Sequence, residues 1–429
     1  MTVFIPEPRL LDSPRGRHWP GGARVPAART DPPPTHADVV VVGAGPAGLA
    51  VASALWHLGV RDVVLLDRAR RPAGRFFARI DAIGQRVLRS PYHHHPGVEG
   101  YRDCELLDFV RLHWAQLTAV ERREIRMAQA GHRSVVPVDA FEAYCRHVAV
   151  LHQVDRRTWR TAVREVAPQR DRVVVRTDSG AVTARHVVLC LGEERRAAPG
   201  HWWDEARPPA RVSYWDAPAP RGGERVIVVG GGLTAAHLIT NALTAGQRVH
   251  WLLREGAERY QCADVNAAFF RAEGRLRFET VGWADRLRMM RQQRRASVMF
   301  EFRPLLRAAA ADGRLTIHGG RSIAEVRPAG EGTVRVRLRD GERVEGDHAV
   351  LALGTTVTTG ERLLPASVVR LRDGWPDLDE RTLAFRAAPR VFAIGAAACM
   401  ALGPAARNID GHRVAAARVA PAIAAELGA

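Results

Sequence analysis

Two stretches of the chain share one order of apolar and polar positions. In each, an apolar run ends in glycines, and an Ala/Leu-rich stretch with helical spacing follows. The runs are Asp38–Val42 and Arg225–Val229. Their β-branched residues predict buried strands, and the spacing after the glycines predicts a helix. The sequence therefore predicts two strand–turn–helix units.

Other segments extend this pattern. Apolar runs that end in glycine predict strands at 184–192, 346–354 and 390–395. Helices are predicted near 106–116 and 138–150, and a strand pair near 171–183. We expect a long loop region up to Gly100. We also expect an Ala-rich helix at the end of the chain, opened by Gly403 and Pro404.

Small residues follow the two strands at the spacing of a dinucleotide-binding turn. They are Gly43, Gly45 and Gly48 in the first unit, and Gly230, Gly232 and Ala235 in the second. The first glycine permits a tight turn, the second lets the backbone approach a pyrophosphate, and the third position must be small for helix–strand packing. The phosphates then lie at a helix N-terminus, where N–H groups favour an anion. Two such cradles predict two dinucleotides.

The residue after the second strand differs between the units. Asp67 ends the segment Leu65–Asp67, where a carboxylate accepts a hydrogen bond from a ribose hydroxyl. Arg254 occupies the corresponding place in the second unit, and a guanidinium suits a 2′-phosphate. The sequence therefore predicts FAD in the first cradle and NADPH in the second.

These assignments predict a three-layer α/β fold with two Rossmann-like domains, the NADPH domain being inserted in the FAD domain. The predicted boundaries are 1–36 for an extended Pro/Arg-rich arm, 37–207 and 357–429 for the FAD-binding domain, and 208–356 for the NAD(P)H-binding domain. Composition leaves open whether the arm is disordered or wraps the surface.

Composition changes this interpretation little. The chain has 429 residues and 46% hydrophobic content, enough for two to three domains. Its net charge of +17 comes from arginine, since the sequence contains no lysine, and aromatic residues do not alternate with basic clusters. We therefore predict no nucleic-acid partner. Lysine chemistry such as a Schiff base is excluded.

The cysteines indicate a reducing compartment. They are isolated and never form a CxxC pair: Cys104, Cys145, Cys190, Cys262 and Cys399. This pattern disfavours a closely spaced redox pair or an iron–sulfur cluster. Because no apolar segment is typical of a membrane span or a signal peptide, we expect a cytoplasmic protein that does not enter a membrane.

The order of these motifs resembles the two-dinucleotide flavoprotein monooxygenases (class B), over about residues 38–425. Within that group, Asp264–Phe270 is similar to the Val-Asn-x-x-Phe segment of lysine and ornithine N-monooxygenases. The resemblance implies that Asn266 helps to hold the substrate. A loop asparagine that caps a helix is the alternative. Ala396 after Gly395, in place of the Gly-Asp of disulfide-reductase-like flavoproteins, also favours the monooxygenases.

Two segments depart from the family patterns. The Phe-x-Gly-x-x-x-His motif of Baeyer–Villiger and flavin-containing enzymes is missing, and Val212–Asp216 lies there without its histidine. The Gln- and Lys-bearing segment of the N-hydroxylases is absent, and Arg86–Pro96 takes its place. The substrate therefore stays open.

The loop from Arg89 to Pro96 is the best candidate for the active site, because it should border the isoalloxazine. Arg89 could hold a phosphate or a substrate carboxylate, or form a structural ion pair. His93 or His94 could donate a proton near the flavin. Adjacent residues on an extended segment point to opposite faces, so we predict no metal site there.

The resemblance implies that NADPH reduces FAD and that O2 then gives a C4a-hydroperoxyflavin, which hydroxylates a nitrogen of a small amine or amino-acid-like substrate. An oxygenase acting on carbon or sulfur, an NAD(P)H oxidoreductase and a flavin-binding interaction protein are the alternatives, and a homo-oligomer is left open. The predicted catalytic residues are Asn266, His93 and His94. The predicted cofactor-binding residues are Gly43, Gly45, Pro46, Ala47, Gly48, Asp67, Arg68, Arg75, Arg89, Val163, Gly192, Gly230, Gly232, Leu233, Thr234, Arg254, Gly354, Gly395, Gly403 and Pro404.

Overall fold

The structure is a computed structural model. It describes residues 7–20, 25–101, 104–203, 208–217, 223–261, 272–293, 295–330 and 332–429. The predicted substrate residue Asn266 and the cysteine Cys262 lie outside the described residues.

Twenty-four strands are described, many of them short. The first twelve are β1 His36–Val42, β2 Val63–Asp67, β3 Val87–Leu88, β4 Val136–Pro137, β5 Thr158–Arg160, β6 Val163–Pro168, β7 Val173–Thr177, β8 Gly180–Leu189, β9 Glu193–Arg195, β10 Val212–Tyr214, β11 Arg225–Val229 and β12 Arg248–Leu252. The others are β13 Tyr260–Gln261, β14 Val298–Met299, β15 Leu315–His318, β16 Ile323–Pro328, β17 Val334–Leu338, β18 Arg343–Gly346, β19 His348–Leu351, β20 Thr355–Val357, β21 Leu371–Arg372, β22 Trp375–Pro376, β23 Ala384–Phe385 and β24 Ala388–Ala393.

Eleven α-helices are described among these strands. They are α1 Pro46–His57, α2 Gly74–Ile83, α3 Leu106–Leu112, α4 Ala119–Gln129, α5 Val138–Leu151, α6 Leu233–Thr244, α7 Ala272–Glu279, α8 Trp283–Gln293, α9 Arg303–Ala311, α10 Cys399–Leu402 and α11 Ile409–Leu427. Short 3-10 turns lie at Pro8–Asp12, Trp114–Gln116, Asp155–Arg157, Gly200–Trp202, Phe300–Phe302, Gly395–Ala398 and Pro404–Arg407. Among the described residues, every helix is too short or too polar to cross a membrane.

The first sheet has eight strands. Its main path is β23-β24-β8-β1-β2-β5, and the hairpin β6–β7 joins it beside β8. The central strand β1 runs parallel to β2 and β8, with Val39 opposite both Val63 and His186. Because β24 is also parallel to β8, the loops after β1, β8 and β24 leave the sheet at the same edge.

The second sheet has five parallel strands in the order β10-β19-β11-β12-β15. Alternate residues of β11 face its two sides. Val226 and Val228 belong to the apolar cluster formed with α6 and α9, whereas Ile227 and Val229 pack with the antiparallel sheet β16–β18. Burial on both faces explains why this strand is apolar throughout. The predicted three-layer α/β fold is confirmed.

The N-terminal arm packs on the protein in its described part. Leu10 and Leu11 are buried in the same apolar cluster as Phe302. The Arg17 guanidinium pairs with Glu121 at 2.6 Å and with Asp139 at 2.9 Å. The described part of the arm, residues 7–20 and 25–36, therefore packs on the surface, which was one of the two alternatives.

Two local predictions were wrong. The loop expected up to Gly100 contains helix α2, whose apolar residues Phe77, Ile80 and Ile83 form one buried face. The last long helix does not begin at Gly403 and Pro404. That segment is a single 3-10 turn, and α11 begins at Ile409 with Asn408 as its N-cap.

Candidate cofactor and active site

The first cradle accepts only glycine at two of its positions. Gly43 has φ +103°, and a Cβ there would lie 2.4 Å from the carbonyl oxygen of Cys190. A Cβ on Gly48 would lie 2.1 Å from the carbonyl oxygen of Gly43. Since real Cβ atoms do not approach this closely, β1, β8 and α1 can meet here only because both side chains are absent.

The N-terminus of α1 opens on free space. Gly45 is the N-cap, and an added Cβ would meet no atom within 4 Å. Pro46 follows at the position where a missing N–H costs nothing, and the N–H groups of Ala47 and Gly48 have no partner inside a helix. These groups fit a pyrophosphate.

Asp67 is held at the mouth of the same turn. Its Oδ2 accepts a hydrogen bond from the Ala44 backbone N–H at 2.6 Å, and its Oδ1 accepts one from Ala69 at 2.7 Å. Each carboxylate oxygen has a further lone pair. The carboxylate is therefore oriented and can still accept a ribose hydroxyl.

The second cradle repeats the first. Gly230 has φ +135°, and a Cβ there would lie 2.3 Å from the carbonyl oxygen of Ala352. Gly232 is the N-cap of α6 and also faces open space, at the helix start that includes Leu233 and Thr234. The third small residue is Ala235, whose methyl group is fully buried. A second helix start that fits a phosphate thus lies at the edge of the second sheet.

Arg254 follows β12 at that edge. Its side chain is 84% exposed, and its nearest acid is Glu255 at 3.7 Å. A weak, exposed pair of this kind competes little with a phosphate ligand. The guanidinium is therefore available to a 2′-phosphate.

A short two-stranded sheet joins the two cradles. Strand β9 begins directly after Gly192, and β20 begins directly after Gly354, and the two strands pair with each other. Both glycines have positive φ, 68° and 81°, and turn the chain out of the two main sheets. A cavity of about 640 Å³ lies beside this junction. Its lining includes Arg75, Arg79, Glu194, Arg195, Asp216 and Arg362.

The cavity carries ion pairs and an excess of positive charge. Arg75 contacts Glu194 at 2.7 Å, and Arg195 contacts Asp216 at 2.9 Å. Burial acts to raise the pKa of Glu194, but the hydrogen bond from Arg75 and the charges of Arg75, Arg79 and Arg68 together outweigh it, so the pKa is lowered. Burial and the neighbouring Arg75 lower the pKa of the Arg79 guanidinium. Four guanidinium groups against two carboxylates favour an anionic group in this cavity.

The three histidines of the Arg89–Pro96 loop differ in burial, although the rings of His93 and His94 pack edge to face at 4.5 Å. His93 is exposed, whereas His94 and His95 are buried. His94 Nε2 lies 3.7 Å from Asp410 Oδ2, in the first turn of α11. Burial, with the charge of Arg413, lowers the pKa of His95 to about 3, so this ring is neutral near pH 7.

Arg89 links the segment after β3 to the segment before β14. Its Nη2 donates a hydrogen bond to the carbonyl oxygen of Ser297, at 2.6 Å, directly before β14. Since the acceptor is a backbone carbonyl and not a carboxylate, this bond does not decide between a ligand and an ion pair for Arg89. Its role toward a cofactor stays a prediction.

The remaining predicted cofactor residues are spread around the first sheet. Gly395 and Gly403 follow β24 with positive φ, and a Cβ on Gly395 would lie 3.5 Å from His412 Nε2. Pro404 is buried, Val163 begins β6, and Arg68 is exposed after β2. Their contacts with a cofactor also stay predictions.

Sequence reasoning missed most of the cavity. Arg75 is the one charged residue of the cavity lining that the sequence analysis had predicted to bind a cofactor. The charged run Glu193–Arg196, directly after Gly192, was the available signal, because loops after parallel strands hold ligands at the sheet edge. The partners Arg79 and Asp216 could be found only from the fold.

Comparison with known proteins agrees with this geometry. Residues 133–395 match the family described as pyridine nucleotide-disulphide oxidoreductase, and residues 41–108 match an NAD(P)-binding Rossmann-like domain. No curated protein matches the sequence. These matches confirm the predicted oxidoreductase class and fit FAD and NADPH as its cofactors.

Solved structures share the whole fold at low identity. The reduced form of ornithine hydroxylase from Pseudomonas aeruginosa is 17% identical, with a TM-score of 0.72 over 91% of this chain and 99% of that one. Ornithine N-hydroxylase from Kutzneria sp. 744 is 17% identical, with a TM-score of 0.74 over 92% and 100%. L-lysine 6-monooxygenase from Pseudomonas syringae is 20% identical, with a TM-score of 0.68 over 90% and 99%. At such identities the likeness shows the fold alone.

The family match covers more than half of the chain, which therefore belongs to the pyridine nucleotide-disulphide oxidoreductase family.

Proposed function

We propose that this chain is an FAD-dependent, NADPH-consuming monooxygenase that hydroxylates a nitrogen of a small amine or amino-acid-like substrate. One atom of O2 would join the nitrogen, the other would leave as water, and NADPH would supply the two electrons. The fold shared with proteins named as ornithine hydroxylases and a lysine monooxygenase supports this choice among flavoenzyme reactions.

The observation that carries the proposal is the junction between the two cradles. A nicotinamide can reduce a flavin only if the two rings meet. Strands β9 and β20 leave the edges of the two main sheets, pair with each other and line one cavity. Ligands of open α/β sheets bind at these edges. The junction therefore supports electron transfer between ligands of the two cradles.

The residues of the cradles fit the two cofactors. The N–H groups at the start of α1 would hold the FAD pyrophosphate, and Asp67 would hold its ribose. The start of α6 and Arg254 would hold NADPH. When bound, the cofactors supply the reducing equivalents and the activation of O2. We propose with this that residues 208–356 form the NADPH-binding domain and that 37–207 and 357–429 form the FAD-binding domain.

The cavity favours a substrate with an anionic group. Arg75, Arg79, Arg195 and Arg362 outnumber Glu194 and Asp216 in its lining. A substrate carboxylate, as in an amino acid, would complement this charge. Among candidate amines we therefore expect amino acids to be preferred over a diamine.

The proposed catalytic residues need direct tests. His93 is exposed, His94 is buried beside Asp410, and Asn266 lies outside the described residues. We keep a proton-donor role for His93 or His94 and a substrate-holding role for Asn266 as proposals. Turnover that survives His93→Ala and His94→Ala would remove the proton-donor role.

The test uses the full chain loaded with FAD. It is supplied with NADPH and O2 and, separately, with L-ornithine, L-lysine and cadaverine, while NADPH oxidation, hydrogen peroxide and product mass are followed. We expect at least one amine to yield a product heavier by one oxygen atom, in proportion to the NADPH consumed. Hydrogen peroxide without a hydroxylated product from any amine would contradict the proposal. Thioether and ketone substrates and electron acceptors would then test the alternative oxygenase and oxidoreductase reactions.

A further inference from the structure

Three potential metal ligands that are distant in sequence meet at one point of the first domain. His57 is the last residue of α1, Cys104 lies just before α3, and His152 directly follows α5. The cysteine and His152 are each 2% exposed, whereas His57 is half-buried. The cluster lies at the opposite end of α1 from Gly45, so a 12-residue helix of roughly 18 Å separates it from the first cradle.

The three donor atoms have the spacing of ligands around one metal ion. His57 Nε2 and His152 Nε2 are 3.1 Å apart, and Cys104 Sγ lies 3.6 Å from the first and 3.9 Å from the second. A tetrahedral Zn²⁺ with ordinary Zn–N and Zn–S bonds separates two nitrogens by about 3.4 Å and a nitrogen from a sulfur by about 3.6 Å. The observed triangle is within a few tenths of an ångström of this geometry.

Hydrogen bonds around the cluster orient its ligands. His152 Nδ1 donates to the carbonyl oxygen of Val148 at 2.9 Å, which leaves the lone pair on Nε2 toward the cluster. The His57 ring packs against Tyr101, with ring centroids 3.9 Å apart. The carbonyl oxygen of Cys104 accepts a hydrogen bond from the buried Tyr144 hydroxyl. Of these contacts, the hydrogen bond from His152 Nδ1 to a backbone carbonyl is the kind that orients a histidine ligand toward a metal.

We propose that His57, Cys104 and His152 form a Zn²⁺ site in this protein. Imidazole and thiolate donors suit Zn²⁺, and water would take the fourth position. Binding would release the proton of the Cys104 thiol. The ion would join the end of the cradle helix α1 to α3 and α5. Its role would be structural, since it lies at the far end of α1 from the first cradle.

The test uses Co²⁺ as a spectroscopic probe of the full-length, chelator-treated protein. We expect one Co²⁺ per chain, with d–d bands of a tetrahedral ion and a thiolate-to-cobalt charge-transfer band, and displacement by Zn²⁺. Cys104→Ser and the half-buried His57→Gln should each lose the charge-transfer band or weaken Co²⁺ binding at least tenfold. Cys145→Ser, which removes another buried thiol from the same domain, should retain it.

Two results would overturn the site. One is the absence of any thiolate–cobalt band in the wild-type chain, which would leave a hydrogen-bonded His–His–Cys cluster. The other is a band that persists in Cys104→Ser. If Cys104→Ser does not fold, the test rests on His57→Gln, and Co²⁺ binding as tight as in the wild type, with the same band, would overturn the site. Zn²⁺ should also raise the melting temperature of the wild-type protein and of Cys145→Ser, but not of His57→Gln.

Discussion

The two cradles have the same backbone geometry, but the residue near the end of the second strand differs between them. Gly43 and Gly230 each have positive φ, and a Cβ on either would strike the carbonyl oxygen of the residue that follows the neighbouring strand, at 2.4 Å and 2.3 Å. Gly45 and Gly232 both cap a twelve-residue helix and face open space. The common part is the phosphate site, and it is made by backbone geometry alone.

The difference lies in side chains. After the second strand, the first cradle has a half-buried Asp67 with two backbone hydrogen bonds, and the second has an exposed Arg254. The third small residue is Gly48 in one and Ala235 in the other. We therefore propose that the backbone binds a dinucleotide in each cradle and that a single residue near the end of the second strand selects which one.

The largest expected effect follows from the third small residue. In Gly48→Ala the new methyl group would lie 2.1 Å from the Gly43 carbonyl, so we expect loss of bound FAD and about 1–3 kcal/mol of stability. Flavin absorbance per chain and urea unfolding measure both. The matched change in the second cradle, Ala235→Gly, should cost only about 0.5–1 kcal/mol and leave FAD bound. Equal damage from both would contradict the comparison.

A smaller effect is expected from the carboxylate of the first cradle. Asp67→Ala should weaken FAD binding roughly 10- to 150-fold, the worth of a charged hydrogen bond, and leave NADPH affinity unchanged. Titration calorimetry of each cofactor tests this. Asp62→Ala is the control, because Asp62 also accepts a backbone N–H, from Asp38, but lies before β2. A matching loss of NADPH affinity would count against separate sites.

A third expected effect is on stability alone and concerns two histidines at equivalent positions of the two main sheets. His186 lies opposite Val39, and His348 lies opposite Val226. Burial, with Arg390 for the first and Arg211 for the second, lowers the pKa of each ring to about 4.

The sign of their pH dependence follows from these values. The unfolded chain, with a histidine pKa near 6.5, binds these protons more readily, so stability is lost as pH falls from about 6.5 to about 4. We expect about 1–3 kcal/mol per histidine. Urea unfolding at pH 7 and pH 4 measures the loss, which His186→Leu should reduce. His348→Leu should also reduce the loss, but it should lower the stability at pH 7 more than His186→Leu does. The reason is the hydrogen bond between His348 Nε2 and Ser213 Oγ at 2.7 Å, which the substitution removes. An unchanged pH dependence in both variants would contradict the assignment.

The sequence predicts the cradles well because their signals are local. The strand Arg225–Val229 and the helix near 138–150 agree with β11 and α5 within one or two residues. A buried strand needs apolar residues in sequence, and a phosphate turn needs glycines at fixed spacing. Both requirements are met within a few adjacent positions.

The cavity and the histidine–cysteine cluster depend on contacts that no local pattern shows. Arg75 meets Glu194 across 119 residues, and His57 meets Cys104 across 47. The predicted start of the last long helix was wrong because it, too, depends on more than the local pattern. Gly403 and Pro404 do open a turn, but Asn408 is extended and starts a new helix behind it.

The most direct test of two distinct cradles is the rate of anaerobic FAD reduction as NADPH or NADH is varied, in the wild-type chain and in Arg254→Ala. We predict that the variant binds NADPH roughly 10- to 150-fold more weakly, with NADH little changed. Arg248→Ala, at the other end of the same strand, should behave as wild type. Equal losses for NADPH and NADH in Arg254→Ala would contradict the account.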